Sequence, residues 1–198
     1  IYLNEDRFDD PKEVHKYISR IIQSNKSPQH VSLLDCGCAT GELLYLLRKD
    51  IPGISLYGID ISEKMIDLAK TTQPCIDFRV QDISSSNFVQ PSNQQVDILT
   101  CVGVLSILDD IRAVVNNLCS LVNENGLMVL YGCFNPDDID VVMRYRRGGA
   151  GRWESGWNVF SQASVERCFA SNKYLEVFDY EWNHFDLGFD LQKNNSDP

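Results

Sequence analysis

Three acidic residues, Asp35, Asp60 and Asp82, each stand at the end of an apolar run that predicts a β-strand. Two glycines, Gly37 and Gly41, bracket the turn after the first acid, where glycine allows the backbone to approach a ligand closely. A carboxylate in such a position accepts hydrogen bonds from ribose hydroxyls, from the exocyclic amine of adenine or from a cationic group. The pattern predicts a site for an adenosine that carries a cationic amino-acid group and no phosphate.

The turn after Asp35 does not carry the motifs that bind phosphates. Neither G-x-x-x-x-G-K-[ST] nor G-x-G-x-x-G occurs in the chain, so neither a nucleoside triphosphate nor a dinucleotide is indicated. The carboxylate of Asp35 would also repel a pyrophosphate, because like charges repel, whereas it would attract a cation.

The elements that must position these residues alternate along the chain. Strands are predicted over 31–36, 54–61, 76–83, 96–104, 126–134 and 174–183, and helices over 11–24, 41–50, 62–72, 105–122 and 161–172. Such alternation predicts an α/β fold, a doubly wound and mostly parallel sheet with helices on both faces. Ligands of these sheets bind beyond the carboxyl ends of the strands, where the acids and glycines stand.

Four stretches resemble, in order, the motifs of class I (Rossmann-like) S-adenosylmethionine-dependent methyltransferases of the small-molecule type. They are "LLDCGCATG", "YGIDIS" with the ribose-binding acid at Asp60, "VQDI" for adenine, and "VDILTCVGVLSIL", the strand-four motif, whose end borders the methyl group. Ala39 replaces the central glycine of the first motif, and Ser106 lies where many small-molecule members carry a histidine. The family sheet has seven strands and six are found here, so we expect the seventh to be missing at the C-terminus.

The resemblance implies S-adenosyl-L-methionine as the cofactor. The cofactor-binding residues that it implies are Asp35, Gly37, Cys38, Ala39, Gly41, Asp60, Ile61, Met65, Gln81, Asp82, Ile83, Cys101 and Val102. In this scheme the backbone at Cys101 and Val102 accepts from the methionyl amino group, and Ile83 offers its backbone N–H and covers one face of the adenine. We expect one domain over residues 1–198: a helical segment (1–30), a cofactor-binding core (31–134) and a substrate-side region (135–198).

A hydroxyl acceptor needs a base, and His184, after the sixth predicted strand, is the candidate catalytic residue. A structural or surface histidine is the alternative. The stretch "MRYRRGGAGRWESGWN" lies where this fold often builds its acceptor pocket. Its candidate substrate-binding residues are Arg147, Arg152, Trp153 and Trp157, since arginines beside aromatic rings hold carboxylates or phosphates and stack on sugars. A solvated surface loop is the alternative for this stretch.

Composition excludes several classes of function. A net charge of −10 argues against DNA and weakens the case for RNA, because phosphate binding relies on lysine and arginine. No apolar run has the ~18 residues of a membrane span. Seven cysteines, an odd number in mostly apolar stretches, fit free thiols in the cytoplasm. The Cys36-x-Cys38 pair has no second pair, so we expect no metal. The oligomeric state is not indicated.

We therefore expect an enzyme that transfers a methyl group from S-adenosylmethionine to a small-molecule acceptor. O-methylation is slightly preferred, and a sugar or sugar-linked metabolite is the expected acceptor. Three alternatives stay open: a non-catalytic regulatory module that binds S-adenosylmethionine, a methyltransferase acting on RNA, and a nucleotide-dependent oxidoreductase on a related fold.

Overall fold

The computed structural model describes residues 8–25, 31–88, 95–146, 148 and 151–171. Five parallel strands form one sheet in the order β3-β2-β1-β4-β5. They are β1 (Ser32–Cys36), β2 (Ser55–Asp60), β3 (Asp77–Val80), β4 (Val96–Val102) and β5 (Val122–Tyr131). The helices are α1 (Glu13–Asn25), α2 (Glu42–Asp50), α3 (Glu63–Thr72), α4 (Arg112–Leu121) and α5 (Gln162–Ala170). The predicted parallel α/β sheet is confirmed.

The two central strands are buried on both faces, which explains their unbroken apolar sequences. Successive side chains of a strand point to opposite faces, and β1 shows this directly. Leu33 packs with Leu44 and Ile66 of α2 and α3, whereas Leu34 packs with Leu118 of α4 and with α5. Helices therefore cover both faces of the sheet, and its carboxyl edge stays available for a site.

The prediction of one continuous helix over 105–122 is wrong. A 3₁₀ turn (Leu105–Ile107) comes first, and α4 starts only at Arg112. The carboxylate of Asp110 accepts a 2.9 Å hydrogen bond from the backbone N–H of Arg112, which begins the new helix. Leu105 and Ile111 are nevertheless both buried, so the apolar spacing runs through the break. The break places residues 103–109 at the carboxyl edge of the sheet.

The region after β5 also differs from the prediction of a strand over 126–134. β5 ends at Tyr131, and β6 (Phe134–Asn135) pairs instead with β9 (Phe160–Ser161), just before α5. Between them, β7 (Arg144–Tyr145) and β8 (Glu154–Ser155) form an antiparallel pair, here called the β7–β8 hairpin. The predicted strand at 174–183 and the C-terminal end, where the seventh strand is expected to be missing, lie outside the described residues.

Candidate active site

The turn after β1, residues 37–41, is here called the glycine turn. Gly37, Ala39 and Gly41 all have left-handed backbones, with φ of 80°, 47° and 81°. The backbone N–H groups of Gly37 and Cys38 both donate to the carbonyl of Ile59, at 2.8 and 3.0 Å. The turn is therefore fastened to β2, its neighbour in the sheet.

Gly37 touches the segment that follows β4. A β-carbon on Gly37 would lie 2.2 Å from Cγ2 of Val104, closer than two carbons can approach. No side chain fits here, and the left-handed backbone separately favours glycine. The glycine turn and the rim after β4 are thus in direct contact.

Gly41 closes the turn and is the residue before α2. A β-carbon there would lie 2.7 Å from Nε2 of Gln73 and 2.7 Å from Cζ of Phe78. The Nε2 of Gln73 also donates a 2.8 Å hydrogen bond to the carbonyl of Gly41. The sequence analysis missed Gln73. Its partner stands 32 positions away in the chain, so no local pattern marks it.

Asp60 connects two of the predicted motifs. One carboxylate oxygen accepts from the backbone N–H of Ala39 at 2.9 Å, and the other accepts from the N–H of Ser62 at 2.8 Å. The acid at the end of β2 thus holds the glycine turn and the first turn of α3 together. Its remaining lone pairs are available to a ligand, because each carboxylate oxygen accepts more than one hydrogen bond.

Asp35 is buried, with 3% of its surface exposed, and it accepts a 2.7 Å hydrogen bond from the hydroxyl of Thr100. The pKa of Asp35 is raised to about 7, chiefly by burial; the hydrogen bond from Thr100 lowers it and the nearby charge of Asp60 raises it. Within the described part of the chain, neither acid forms an ion pair with Lys, Arg or His. Two uncompensated carboxylates at one rim attract a cation.

The third acid lies on the same edge. The backbone N–H of Gln81 donates to the carbonyl of Asp60 at 2.9 Å, so the end of β3 adjoins the end of β2. Asp82 accepts from the N–H and the hydroxyl of Ser84 at 2.8 and 2.6 Å, which closes a tight turn. The side chain of Ile83 is buried against the core, so it is the backbone of this residue that borders the rim.

The other predicted cofactor residues lie around these acids. Ile61 is 67% exposed directly after Asp60, and Met65 is half-buried in the first turn of α3. Cys101 pairs in register with Cys36 on β1, and Val102 is the last residue of β4. The fold thus brings the predicted cofactor residues to one edge of the sheet.

The cysteines of this edge are thiols. Burial raises the pKa of Cys36, Cys38 and Cys101 far above the ordinary value, so none is a ready nucleophile. No group of three His, Cys, Asp or Glu side chains within the described ranges is placed to hold a metal ion. The chemistry of this edge is that of carboxylates, amides and apolar cover.

The β7–β8 hairpin and the residues that follow it present the aromatic residues of the predicted acceptor stretch. Trp153 and Trp157 are 61% and 59% exposed, and Arg152 is also exposed. The guanidinium of Arg146 lies over the ring of Trp153, 5.0 Å from its centre, a cation–π contact. Arg147 and His184, both predicted site residues, lie outside the described residues.

Asn158 fastens this hairpin to the rim after β4, and the sequence analysis missed it. Its backbone N–H donates to the carbonyl of Ser106 at 2.6 Å, and its Nδ2 donates to the carbonyl of Leu108 at 2.5 Å. Its Oδ1 accepts from the N–H of Met143 at 2.8 Å, and the residue is fully buried. Asp109 adds an ion pair with Arg144 on the hairpin. Contacts therefore run from the glycine turn to the hairpin through residues 104–109.

Comparison with known proteins agrees with this geometry. Residues 34–128 match a family described as a methyltransferase domain. The malonyl-[acyl-carrier protein] O-methyltransferase of Halalkalibacterium halodurans is 30% identical over 131 residues, 64% of this chain and 48% of that protein. The ubiquinone biosynthesis O-methyltransferase of Coxiella burnetii is 33% identical over 115 residues, 56% of this chain and 45% of that protein. The chain thus spans about half the length of these two relatives.

Among solved structures, the S-adenosylmethionine-bound amino pentose methyltransferase CalS10 from Micromonospora echinaspora superposes with a TM-score of 0.62. It is 19% identical, and the match covers 83% of this chain and 84% of that chain. Together, the family match, the relatives and the fold confirm the resemblance that the four motifs indicated. The part of the chain that carries the four motifs is thus similar to methyltransferase domains, and the fold is that of the class I S-adenosylmethionine-dependent methyltransferases.

Proposed function

We propose that this protein binds S-adenosylmethionine at the carboxyl edge of the sheet and transfers its methyl group to a small-molecule acceptor. The observation that carries the proposal is the pair of acids around the glycine turn. Asp60 is hydrogen-bonded to the turn, and Asp35 is buried beside it without an ion pair in the described residues. Such a site favours a cationic ligand without phosphates.

The residues at the rim fit the parts of this cofactor. Asp60 retains acceptor capacity for the two ribose hydroxyls, and Asp82 accepts from the adenine amine. The exposed side chain of Ile61 and the half-buried Met65 provide apolar cover for the adenosine. The backbone at Cys101 and Val102, beside Asp35, is where the methionyl ammonium would be held.

When bound, S-adenosylmethionine supplies a methyl group on a sulfonium, whose neutral leaving group makes the displacement easy. The protein therefore contributes mainly orientation, which alone accounts for a large part of the acceleration in reactions between two bound groups. The contact between Gly37 and Val104 fixes the glycine turn against the rim from which an acceptor would approach. An acceptor hydroxyl must also lose its proton, and we assign that task to His184.

We further propose that the acceptor is a hydroxyl compound, a sugar or a sugar-linked metabolite, held by Arg147, Arg152, Trp153 and Trp157. The exposed tryptophans on the β7–β8 hairpin and just after it support this, because aromatic rings stack on sugar faces. Two relatives are named as O-methyltransferases, whereas CalS10 is named as an amino pentose methyltransferase, which makes an amino sugar the second candidate.

All seven cysteines are free, two of them exposed, which supports a cytoplasmic location.

Two measurements test the proposal. Calorimetry with S-adenosylhomocysteine and with NAD should give binding of the first alone; binding of NAD alone would favour the oxidoreductase. Radiolabelled methyl transfer is then followed over hydroxyl sugars, amino sugars, nucleotide-linked sugars and RNA. Methylated hydroxyl sugar supports the proposed acceptor, methylated RNA overturns it, and affinity without any methylated product favours a regulatory module.

A further inference from the structure

Gln73 lies directly beneath the glycine turn although it comes from the end of α3. It is 1% exposed, and its Nε2 occupies the space that a side chain on Gly41 would take. The carbonyl of Gly41 accepts from this Nε2 at 2.8 Å and from the backbone N–H of Tyr45 at 2.9 Å. The buried amide of Gln73 thus hydrogen-bonds the carbonyl of Gly41, the residue between the glycine turn and α2.

The other half of this amide is unsatisfied. Within the described residues, Oε1 of Gln73 is buried and has no hydrogen-bond partner. An unsatisfied buried polar atom destabilises a fold by about 1–3 kcal/mol, and an apolar side chain of equal size would avoid that cost. A residue retained only to fill space would therefore be leucine or methionine. The amide has a use that packing does not explain.

We propose that Gln73 is a positioning residue for the cofactor: without touching the ligand, it holds residues 37–41 in the conformation that binds S-adenosylmethionine. The turn has three left-handed residues and would otherwise sample many conformations. A turn that is ordered before binding spares the ligand the free energy of ordering it. The inference concerns the cofactor half of the proposed function and does not depend on the acceptor.

The test is Gln73→Met, which keeps the volume and removes both polar atoms. Calorimetry should show S-adenosylhomocysteine binding about fivefold to tenfold more weakly than to wild type. The melting temperature should stay equal or rise, because the unsatisfied oxygen is gone. Hydrogen exchange at the amides of residues 38–45 should be faster in the free variant. Gln23→Met is the matched control, since Gln23 also donates to an oxygen but lies on the exposed surface of α1.

Gln73→Glu gives a second readout, the pH dependence of affinity, which a mere loss of packing would not change. An ionised glutamate repels the carbonyl of Gly41, whereas the protonated acid donates to it. Burial favours the protonated form, so the affinity deficit relative to wild type should shrink as the pH falls from about 8 to about 6. The inference is overturned if Gln73→Met binds S-adenosylhomocysteine as tightly as wild type. It is also overturned if the affinity deficit of Gln73→Glu does not change with pH. Absence of binding to wild type would instead overturn the proposed function.

Discussion

The hydroxyl of Thr100 donates a 2.7 Å hydrogen bond to the carboxylate of Asp35 across the two central strands, β1 and β4. Both side chains are buried. A single hydroxyl replaces only part of the hydration that an ionised carboxylate has in water, so the pKa of Asp35 rises to about 7. The free protein thus holds an acid that is ready to ionise near neutral pH, and this has consequences for stability and for ligand binding.

Replacement of Asp35 by Asn should stabilise the free protein at high pH. The native pKa of Asp35 is near 7 and its unfolded value is 3.8, so between these values the native state binds more protons than the unfolded chain. Stability from this group therefore falls as the pH rises through that range. Asn mimics the protonated acid, so its advantage should be near zero at pH 4 and reach a few kcal/mol above about pH 7. Urea unfolding across this range measures it; an advantage that does not change with pH would contradict the assignment.

Cofactor affinity should rise with pH, whereas the stability contribution of Asp35 falls. A cationic ligand binds the ionised form of Asp35, so affinity should rise with pH and approach a tenfold gain per unit below about pH 7. Calorimetry with S-adenosylmethionine between about pH 5.5 and about pH 7 stays below the titration of the ligand's own amino group. Asp35→Asn should bind more weakly and show a flat profile. A wild-type profile equally flat would mean that Asp35 does not face the ligand charge.

Asp60→Ala should lower the affinity for S-adenosylhomocysteine by about 100-fold. The variant loses the ribose acceptor and also frees the N–H of Ala39, and hydrogen bonds to charged groups are worth about 1.5–3 kcal/mol each. Asp67→Ala is the matched control, because Asp67 is an exposed acid on the neighbouring helix α3. Unchanged affinity in Asp60→Ala would remove the ribose assignment.

The sequence predicted the sheet and the edge at which the three acids lie because both follow from local patterns. Strands such as β1 and β4 are buried on both faces, so burial shows as an unbroken apolar run, and an acid at the end of such a run stands out. Asp35, Asp60 and Asp82 were predictable on that ground alone. Their meeting at one edge follows from parallel pairing.

Gln73 and Asn158 were not predictable, for a physical reason. Each is a single polar residue whose decisive partner is distant: Gly41 is 32 positions from Gln73, and Leu108 is 50 positions from Asn158. No spacing rule reports such pairs. The break before α4 was missed similarly, because Asp109 turns towards Arg144, 35 positions away, while the apolar spacing continues.

Gly37→Ala should destabilise the protein and abolish cofactor binding. The destabilisation has a steric cause and a backbone cause, and the two are separable. The new β-carbon would meet Val104 at 2.2 Å, and the φ of +80° costs a non-glycine residue about 1–2 kcal/mol. Adding Val104→Ala should recover the steric part alone. Gly53→Ala isolates the backbone part, since Gly53 has a φ of +87° and open space around it. Denaturant unfolding of wild type, Gly37→Ala, Val104→Ala and the double variant gives a double-mutant cycle; strictly additive effects would contradict the contact.

Asn158→Ala should impair the acceptor side and spare the cofactor side. The variant loses the bonds to Leu108 and Met143, so the β7–β8 hairpin is held to the rim after β4 only by the backbone bond to Ser106 and by Asp109. We expect stability to fall by about 2 kcal/mol, KM for the acceptor to rise and kcat to fall, while the Kd for S-adenosylhomocysteine stays within about twofold.

Asn158→Asp refines this experiment, because it keeps the volume and the acceptor for Met143 but turns an oxygen towards the carbonyl of Leu108. It should therefore share the kinetic defect of the alanine variant. Asn87→Ala, an exposed asparagine, serves as the control. A rise in the Kd for S-adenosylhomocysteine that parallels the loss of turnover would mean that Asn158 supports the whole fold. A defect confined to the kinetic constants of the acceptor would place the β7–β8 hairpin in the acceptor site. The hairpin is linked to the glycine turn only through residues 104–109 among the contacts described above, and neither variant alters those residues.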